Sequence, residues 1–514
     1  MDFAIEPPER ADRERGGAGR GGTNGRRGAP LYQQIAEQIR DAVRRRELVS
    51  GARLPAIRDL AARLQVHRDT VGLAYESLAS EGWVETRVGR GTFVSGPVSS
   101  APIDPPLSPL VSRLLDHSES RTPHAVPSDT IAFHALVPDP DLFPVDAFRR
   151  SLNDALATGG ADLLGYADGG EAGLREVIAA HLAQHGIAAE PDAVVTCQGA
   201  SQGLSLVARA FAAPGDAIAV EEPTYQAALG ILIGVGLRPE PVPTHAAGDE
   251  PGVDLEALER VLAQPSVKAF YTMPTFHNPL GITTGREHRR RLLAIAAAAG
   301  KPIVEDACAI DLRFRGRSVP PLAALDDSGL VLPLFSFSKS LFPGVRCGAV
   351  LARGRSLEAL RALKRATDLG DARTLQAAVA SFVRSGHYRR HLQQWRRTLA
   401  VRCDAMLEAL QEHLPRDLRW VAPEGGYQIW VELPRDLDAR EVHAAALRAG
   451  VLIAPGDQFH VAGRRARGFR LVYAQSDPEE IREGIVRLAG VIDQLRTASV
   501  AAKGRAVNVG GTHG

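Results

Sequence analysis

Residues 336–348 read SFSKSLFPGVRCG and follow a hydrophobic run, residues 331–335, that is typical of a buried strand. Lys339 therefore lies just beyond a predicted strand end, with a serine on either side and Arg346 a few residues later. A lysine in this setting can form an imine with a carbonyl compound, while hydroxyl and guanidinium groups bind a phosphate. The stretch predicts that Lys339 is such a lysine, although on its own it could be a surface loop.

Further polar and aromatic groups follow strand-like runs elsewhere in the chain. A Gly-Ala-Ser sequence opens a helix after one run, so its backbone N–H groups and the helix dipole can receive an anion. A tyrosine, an asparagine and an aspartate near the ends of three other runs offer a stacking ring, an amide and a carboxylate for a protonated pyridine nitrogen. Because open α/β sheets bind ligands at the carboxyl ends of their strands, we expect these groups to converge. They are Ala200, Ser201, Tyr225, Asn278 and Asp306.

The spacing of these runs predicts the fold of the larger part of the chain. After residue 131, short β-rich runs alternate with longer amphipathic segments, as in βαβ units that build a mainly parallel sheet covered by helices. The expected strands are residues 193–197, 217–220, 269–272, 303–304, 331–336 and 348–352. We expect an α/β large domain over residues 131–373, a smaller α+β domain over residues 374–496 and a disordered tail over residues 497–514.

Residues 30–96 show a different pattern, which predicts an α+β winged helix-turn-helix. Helical periodicity is followed by two strand-like runs that flank a glycine-containing turn. The expected helices are residues 31–45, 57–64 and 68–80, and the expected strands are residues 83–87 and 92–95. A domain of this kind binds DNA, so we expect operator DNA as a partner.

Five residues of this domain are candidate DNA contacts. Arg68, Asp69 and Thr70 open the third predicted helix, where the residues of a recognition helix reach base edges. Arg58 and Arg90 are placed to meet phosphates or a groove floor. Each arginine could alternatively belong to a solvated helix face.

Two segments lie outside the predicted domains. Residues 1–29 are rich in Gly and Arg and cannot bury enough apolar surface to fold, so they predict a disordered basic arm. The arm could touch DNA phosphates or could be a solvated tail. Residues 97–130 are rich in Pro and Ser and predict a linker, in which residues 110–115 could form a short helix.

Composition narrows the class and the compartment. The 514 residues are 45% hydrophobic and 24% charged, with a net charge of +1 at pH 7, which is typical of a soluble globular protein with several folding units. No apolar run is long enough to span a bilayer, and no secretory signal is recognisable. The cysteines are far apart without CxxC spacing and the histidines are not clustered, so we expect neither a metal site nor a disulfide framework. These features favour the cytoplasm.

The motifs together resemble a known family. Residues 51–94, including the wing sequence GRGTFV at 89–94, resemble the winged helix-turn-helix of GntR-type regulators. The strand-end motifs resemble a fold-type I aminotransferase, and the joined chain resembles the MocR/GabR regulators from about residue 31 to residue 495. The resemblance implies pyridoxal 5′-phosphate as the cofactor and a homodimer as the assembly.

The resemblance also implies a role for each site residue. Lys339 would carry the cofactor imine, and Tyr225 would stack on the ring. Asp306 would pair with the pyridine nitrogen and Asn278 with the ring O3′. The phosphate would be held by Ala200, Ser201, Ser336 and Arg346, together with Tyr166 from the neighbouring subunit. Arg470 would bind the carboxylate of an amino-acid ligand, or it could be a peripheral ion pair.

The sequence departs from the family pattern at three positions. Ala56 and His67 stand where the family often has serine, and the first change removes a side chain that would cap the second helix. Cys308 stands where the pattern Glu-Asp-Asp-Tyr has its tyrosine, so a hydroxyl donor to O3′ is missing. A thiol is a weaker donor, so we expect the imine to keep its proton to higher pH than in relatives with the tyrosine.

Three functions are compatible with these features. The leading hypothesis is a transcription regulator in which an amino compound reacts at Lys339 and changes the arrangement of the DNA-binding domains. The alternative is a working aminotransferase that carries a DNA-binding appendage, since no catalytic part is deleted. A third reading, a DNA-binding protein whose large domain only dimerises, is disfavoured by the intact Lys339 and Asp306.

Overall fold

The structure is a computed structural model that describes Pro7 and residues 30–45, 47–87, 89–95, 106–119, 129–166, 169–248, 250–461 and 466–509. The chain divides into two compact units between Pro106 and Leu107. The predicted arm lies outside the described residues apart from Pro7, as does much of the predicted linker. No helix in the described ranges combines the length and the apolar character that crossing a membrane requires.

The N-terminal unit is a winged helix-turn-helix, as predicted. Its elements are helices α1 (Leu31–Arg44), α2 (Ile57–Leu64) and α3 (Arg68–Ser80) and strands β1 (Val84–Arg87) and β2 (Gly91–Val94). The two strands pair antiparallel, with Val84 opposite Val94. Leu60 of α2 and Val71 and Leu78 of α3 are fully buried and pack in one core with α1. Apolar residues at helical spacing therefore fix how the three helices meet.

The second unit contains two larger sheets. Its helices are α4 (Pro109–Glu119), α5 (Val145–Gly159), α6 (Ala172–Ala183), α7 (Ala200–Phe211), α8 (Gln226–Gly234), α9 (Leu255–Leu262), α10 (Arg286–Ala299), α11 (Leu322–Leu325), α12 (Gly354–Asp368), α13 (Arg373–Arg384), α14 (His387–His413), α15 (Ala439–Arg448) and α16 (Pro478–Val509). Its strands are β3 (Ile131–Ala132), β4 (Val194–Cys197), β5 (Ala217–Glu222), β6 (Arg238–His245), β7 (Gly252–Val253), β8 (Val267–Thr272), β9 (Ile303–Asp306), β10 (Val331–Ser336), β11 (Gly348–Leu351), β12 (Arg419–Trp420), β13 (Gln428–Glu432), β14 (Val451–Leu452), β15 (Ala454–Pro455) and β16 (Gly468–Val472).

The large sheet has eight strands in the order β4-β11-β10-β9-β8-β5-β6-β7. Neighbours from β10 through β6 pair parallel, whereas β11 and β7 are antiparallel to their neighbours. Every residue of β4, β10 and β11 is buried, which is why these strands read as continuous apolar runs rather than as alternating ones. The predicted α/β fold with a mainly parallel sheet is confirmed.

The smaller sheet has the order β12-β13-β16-β15 and lies in the C-terminal part of the chain. The start of the predicted large domain does not belong to the large sheet, because Ile131 and Ala132 pair with Val451 and Leu452 instead. The next residue, Phe133, is fully buried against Gly484 of α16, where a Cβ atom would lie 2.5 Å from its ring. The first residues of the predicted large domain therefore pack with the C-terminal part of the chain.

The structure also differs from two predictions about the segments outside the predicted domains. The tail predicted to be disordered from residue 497 continues α16 as far as Val509. Residues 497–509 read TASVAAKGRAVNV, and their alanines favour extension of a helix whose earlier turns are packed. Within the predicted linker, the short helix is longer than expected, and this helix, α4, packs on α8 with Leu114 against Gly234.

Candidate functional site

One cavity of about 180 Å³ lies where the carboxyl ends of the parallel strands converge. Two of the predicted site residues, Tyr166 and Arg470, are not part of its wall. The predicted residues that line it are Ala200, Ser201, Tyr225, Asn278, Asp306, Ser336, Lys339 and Arg346. Positions that are more than a hundred residues apart in sequence are thus brought together by the order of the strands.

Lys339 follows β10 in the turn that closes one side of the cavity. Its Nζ donates a hydrogen bond to the carbonyl of Leu136, and its own backbone carbonyl accepts one from the Tyr427 hydroxyl. Burial lowers the pKa of the Lys339 amine to about 8. Because only a neutral amine is nucleophilic, burial brings this side chain close to its reactive form at physiological pH.

Asp306 ends β9 at the floor of the cavity with both carboxylate oxygens engaged. Oδ2 accepts a hydrogen bond from the Tyr271 hydroxyl at 2.8 Å, and Oδ1 accepts one from the Cys308 backbone N–H at 3.0 Å. The carboxylate is thereby held in one orientation. Sequence reasoning missed Tyr271, because it lies inside β8 and only the neighbouring strand shows what it binds.

Cys308 stands at the position where the family pattern has tyrosine, and the structure brings it to the cavity wall. Burial, with a contribution from the nearby Asp306 carboxylate, raises the pKa of the Cys308 thiol well above its usual range. The side chain is therefore a neutral thiol at physiological pH. The hydroxyl of the missing tyrosine is not replaced by Tyr271, whose proton is given to Asp306.

A polar cradle lies at the start of α7. Ala200 and Ser201 form the first turn of this helix, and no side chain in the described part of the chain caps it. Arg346, in the left-handed conformation with φ 47°, reaches over Gly199, and a Cβ there would lie 2.8 Å from its guanidinium. On the other side, the Ser336 hydroxyl lies close to Ser338. Backbone N–H groups without a side-chain cap, a guanidinium and hydroxyls are groups that can bind an anion.

Arg470 lies in β16 beside the cavity rather than in its wall. Its Nη1 donates to Asn278 Oδ1 at 2.7 Å, and its Nη2 donates to the carbonyl of His134 at 2.6 Å. Burial lowers the pKa of the guanidinium to about 10, so it stays charged at neutral pH. Its Nε is buried and has no hydrogen-bond partner among the described residues. A buried guanidinium with a spare donor can receive a carboxylate.

Tyr166 is on the surface of its unit with 88% of its area exposed. It therefore contributes nothing to the cavity of its own chain. Leu164, two residues earlier, is 74% exposed, so a tyrosine and a leucine both point outward from this segment.

The predicted DNA contacts lie on the N-terminal unit. Arg68 and Asp69 are exposed in the first turn of α3, Thr70 beside them is half-buried, and Arg58 and Arg90 are exposed in α2 and in the wing turn. Exposed cations on the recognition helix and the wing suit contacts with DNA.

The two N-terminal departures from the family pattern have different outcomes. Ala56 precedes α2 without a side-chain cap among the described residues, as expected. His67 does cap α3, because its Nδ1 accepts a hydrogen bond from the Asp69 backbone N–H at 3.4 Å. The sequence did not single out Arg53, an exposed cation that lies so close to Gly91 of the wing that a Cβ there would be 2.9 Å from its Nε.

The fold and the cavity define a DNA-binding protein joined to an aminotransferase-like unit. Residues 137–488 match the family of class I and II aminotransferases, and residues 31–94 match the gntR family of bacterial regulatory proteins. The two matches fall on the two units of the structure.

Relatives share this arrangement along nearly their whole length. The uncharacterized HTH-type transcriptional regulator YdcR of Escherichia coli (strain K12) is 33% identical over 473 residues, which are 90% of this chain and 99% of YdcR. The probable rhizopine catabolism regulatory protein MocR of Rhizobium meliloti is 31% identical over 492 residues, which are 93% of this chain and 97% of MocR. The chain therefore belongs to the MocR-type family of transcription regulators, in which a GntR DNA-binding domain is joined to an aminotransferase domain.

A solved structure supports the assignment of the second unit. LysN, the α-aminoadipate aminotransferase of Thermus thermophilus, was crystallised with N-(5′-phosphopyridoxyl)-L-leucine. It is 31% identical to this chain with a TM-score of 0.66, and the match covers 76% of this chain and 96% of LysN. The family implies pyridoxal 5′-phosphate as the cofactor, and the cavity fits it, with an uncapped helix start for phosphate, a fixed carboxylate for a ring nitrogen and a lysine with a lowered pKa.

The lowered pKa of Lys339 predicts how cofactor capture depends on pH. In protein freed of cofactor, the rate of covalent attachment of pyridoxal phosphate should rise with pH and reach half its maximum near pH 8, because the neutral amine is the attacking form. Borohydride trapping and peptide mass analysis at each pH measure this rate at Lys339. A lysine peptide, with an ordinary pKa of about 10.4, is the reference. A midpoint that coincides with that of the peptide would contradict the effect of burial, and label on another lysine would exclude Lys339.

Proposed function

We propose that this regulator senses an amino compound through Lys339 and changes its DNA binding in response. The observation that carries the proposal is the convergence of Lys339, Asp306 and an anion cradle in one cavity of a chain that also has an exposed recognition helix. A purely structural domain would not need a buried lysine and a fixed carboxylate facing one space. Because the target is DNA, we place its action in the cytoplasm.

Different residues of the cavity would hold different parts of the cofactor. The start of α7 and Arg346 would bind the phosphate, and the ring of Tyr225 would stack on the pyridine. Asp306, oriented by Tyr271, would keep a proton on the ring nitrogen. When bound, pyridoxal phosphate supplies an electrophilic carbon to which amino groups attach. Lys339 and an incoming amine would therefore compete for the same carbon.

Arg470 favours an amino acid over a simple amine as the effector. Its guanidinium is buried next to Asn278, and it has a spare donor at Nε. A carboxylate that bound this donor could also displace the Asn278 amide oxygen from Nη1. Such a replacement would free Asn278 to bind the ring O3′, so effector binding and cofactor contacts would change together.

A homodimer would complete the site. Tyr166 is far too exposed to serve its own cavity, and the family resemblance assigns it to the phosphate of a neighbouring subunit. A second copy would also bring a second recognition helix, so that two half-sites of an operator could be read.

The structure offers a route by which the cavity could influence the linker. Tyr225 is both a cavity residue and the N-cap of α8, and Ile231 of α8 also lines the cavity. The linker helix α4 packs on α8. If effector binding moved Tyr225, α8 would move with it. The linker helix α4, which follows the DNA-binding unit in the sequence, would then shift as well.

Aminotransferase activity is the second candidate function. The observation that favours it is that the lysine, the carboxylate and the phosphate cradle are all present, as they would be in a catalyst. The absence of a tyrosine at position 308 would change the rate of transamination but would not prevent the reaction.

An absorbance titration of the holoprotein with candidate amino acids separates these functions. With a 2-oxo acid added as amino acceptor, a regulator should show a saturable change in the cofactor band and still release at most about one keto product per chain. Lys339→Ala, which cannot hold the cofactor through its side chain, is the control for the starting band. Many product molecules per chain would support the aminotransferase, and no spectral change with any amine would contradict amine sensing.

The recognition helix predicts a contrast between two arginine variants. Arg68→Ala should cost about 1–3 kcal/mol of discrimination between operator and random DNA, because Arg68 is placed to read base edges. Arg90→Ala should weaken binding to both DNAs similarly and lower the salt dependence, because the wing contacts the backbone. Fluorescence anisotropy at several salt concentrations measures both effects.

The control is Arg149→Ala, which removes an exposed arginine from α5 in the other unit and should leave DNA binding unchanged. If Arg68→Ala weakens binding to operator and to random DNA by the same factor, the readout role assigned to Arg68 is wrong.

A further inference from the structure

A second cluster of functional side chains lies outside the cavity. His181 belongs to α6, His185 follows one helical turn later, and Asp311 lies in the turn after β9. We propose that these three residues bind a divalent first-row transition-metal ion. The proposal concerns a site separate from the cofactor cavity and stands whether or not the chain senses an amine.

The three ligand atoms converge on one point. His181 Nε2 lies 2.8 Å from Asp311 Oδ1, and His185 Nε2 lies 3.0 Å from the same oxygen. All three candidate ligand atoms lie within 4.8 Å of one another. Ligands about 2.0–2.2 Å from a tetrahedral ion stand about 3.3 Å apart, so the two distances from the ring nitrogens to Asp311 Oδ1 need to lengthen by only a few tenths of an ångström. His185 lies just beyond the end of α6, and the centroids of the two imidazole rings are 5.4 Å apart.

The charge of Asp311 also calls for a cation. Its side chain is 2% exposed, and no lysine or arginine in the described ranges forms an ion pair with it. Arg396 lies nearby, but its Nε donates to the backbone carbonyl of Asp311 and not to the carboxylate. A buried carboxylate is normally paired or bound to a metal. A divalent ion would supply the compensating charge and would account for two histidines beside one carboxylate.

The chemistry of the ligands selects the kind of ion. Imidazole nitrogens favour zinc and its neighbours in the first transition row over magnesium or calcium, which prefer oxygen ligands. Three protein ligands leave one position for water. His185 is the most accessible of the three, with 17% of its side chain exposed, so an ion could enter beside it.

Two hydrogen bonds connect the site with Ser340, the residue that follows Lys339. The Tyr388 hydroxyl lies 2.7 Å from Asp311 Oδ2 and 2.8 Å from Ser340 Oγ, and Ser340 is the neighbour of Lys339. A hydroxyl has one proton, so Tyr388 donates to the carboxylate and accepts from Ser340. An ion on Oδ1 would leave this bond in place, and the metal would help to hold the turn that carries Lys339.

The sequence predicted no metal site, and the reason is the distance along the chain. Asp311 is 126 residues from His185, and neither histidine has a cysteine or a second metal-binding motif beside it. Only the packing of α6 against the turn after β9 brings the three together.

Zinc uptake by the holoprotein tests the proposal. After treatment with a chelator and buffer exchange, the wild-type chain should take up about one Zn²⁺ per chain, measured by elemental analysis and by calorimetric titration. His185→Gln keeps a hydrogen-bond donor for Asp311 but removes a metal ligand, so its zinc affinity should fall at least about 100-fold. The matched control is His413→Gln, since His413 lies near one carboxylate, Glu412, without a second histidine. Its zinc affinity should equal that of the wild type.

Two results would overturn the site. One is the absence of stoichiometric zinc uptake by the wild type, which needs no variant and would mean that the three side chains form hydrogen bonds only. The other is His185→Gln binding zinc as tightly as the wild type, which would place the ion elsewhere. An unchanged cofactor spectrum in the variant establishes that a loss of zinc does not reflect unfolding.

Discussion

The carboxyl ends of the buried parallel strands meet at one edge of the large sheet, and the chemistry of the second unit depends on that constraint. β9 delivers Asp306, β10 delivers Lys339, and β4 ends where α7 begins. Because β9 lies between β8 and β10, Tyr271 can reach the Asp306 carboxylate from one side while Cys308 donates its backbone N–H. A rigid sheet thus fixes the carboxylate before any ligand arrives, which lowers the cost of binding.

The sequence could predict those residues of the site that lie at the end of a strand. Lys339 and Asp306 each follow an apolar run that is recognisable by its length and composition. Tyr271, Tyr427 and the carbonyl of Leu136 were not predicted, because their roles depend on which strands are neighbours and on where a distant loop folds back. The same limit applies to the pairing of residues 131–132 with the small domain, since strands of two residues have no detectable period.

Sensing requires that a small molecule in the cavity alter something that the DNA-binding unit depends on. Two features connect the cavity with its surroundings. Tyr225 starts α8, on which the linker helix α4 packs, and Ser340 joins the Lys339 turn to Tyr388 and Asp311. An equilibrium can be shifted only by a ligand with different affinity for its two states. Arg470 donates hydrogen bonds to Asn278 and to the His134 carbonyl. An amino-acid carboxylate that displaced one of these acceptors would bind with different affinity to the states in which they are free or occupied.

We propose that chemistry at Lys339 controls DNA binding. The test is the operator affinity of the untreated holoprotein and of holoprotein reduced with borohydride, which fixes pyridoxal phosphate on Lys339, with and without the amino acid that perturbs the cofactor band. We expect the amino acid to change the dissociation constant of the untreated holoprotein, whereas the reduced protein should bind the operator with an affinity that the amino acid leaves constant, because its lysine can no longer release the cofactor. An equal response in both proteins would contradict the claim, because the signal would then not depend on the lysine.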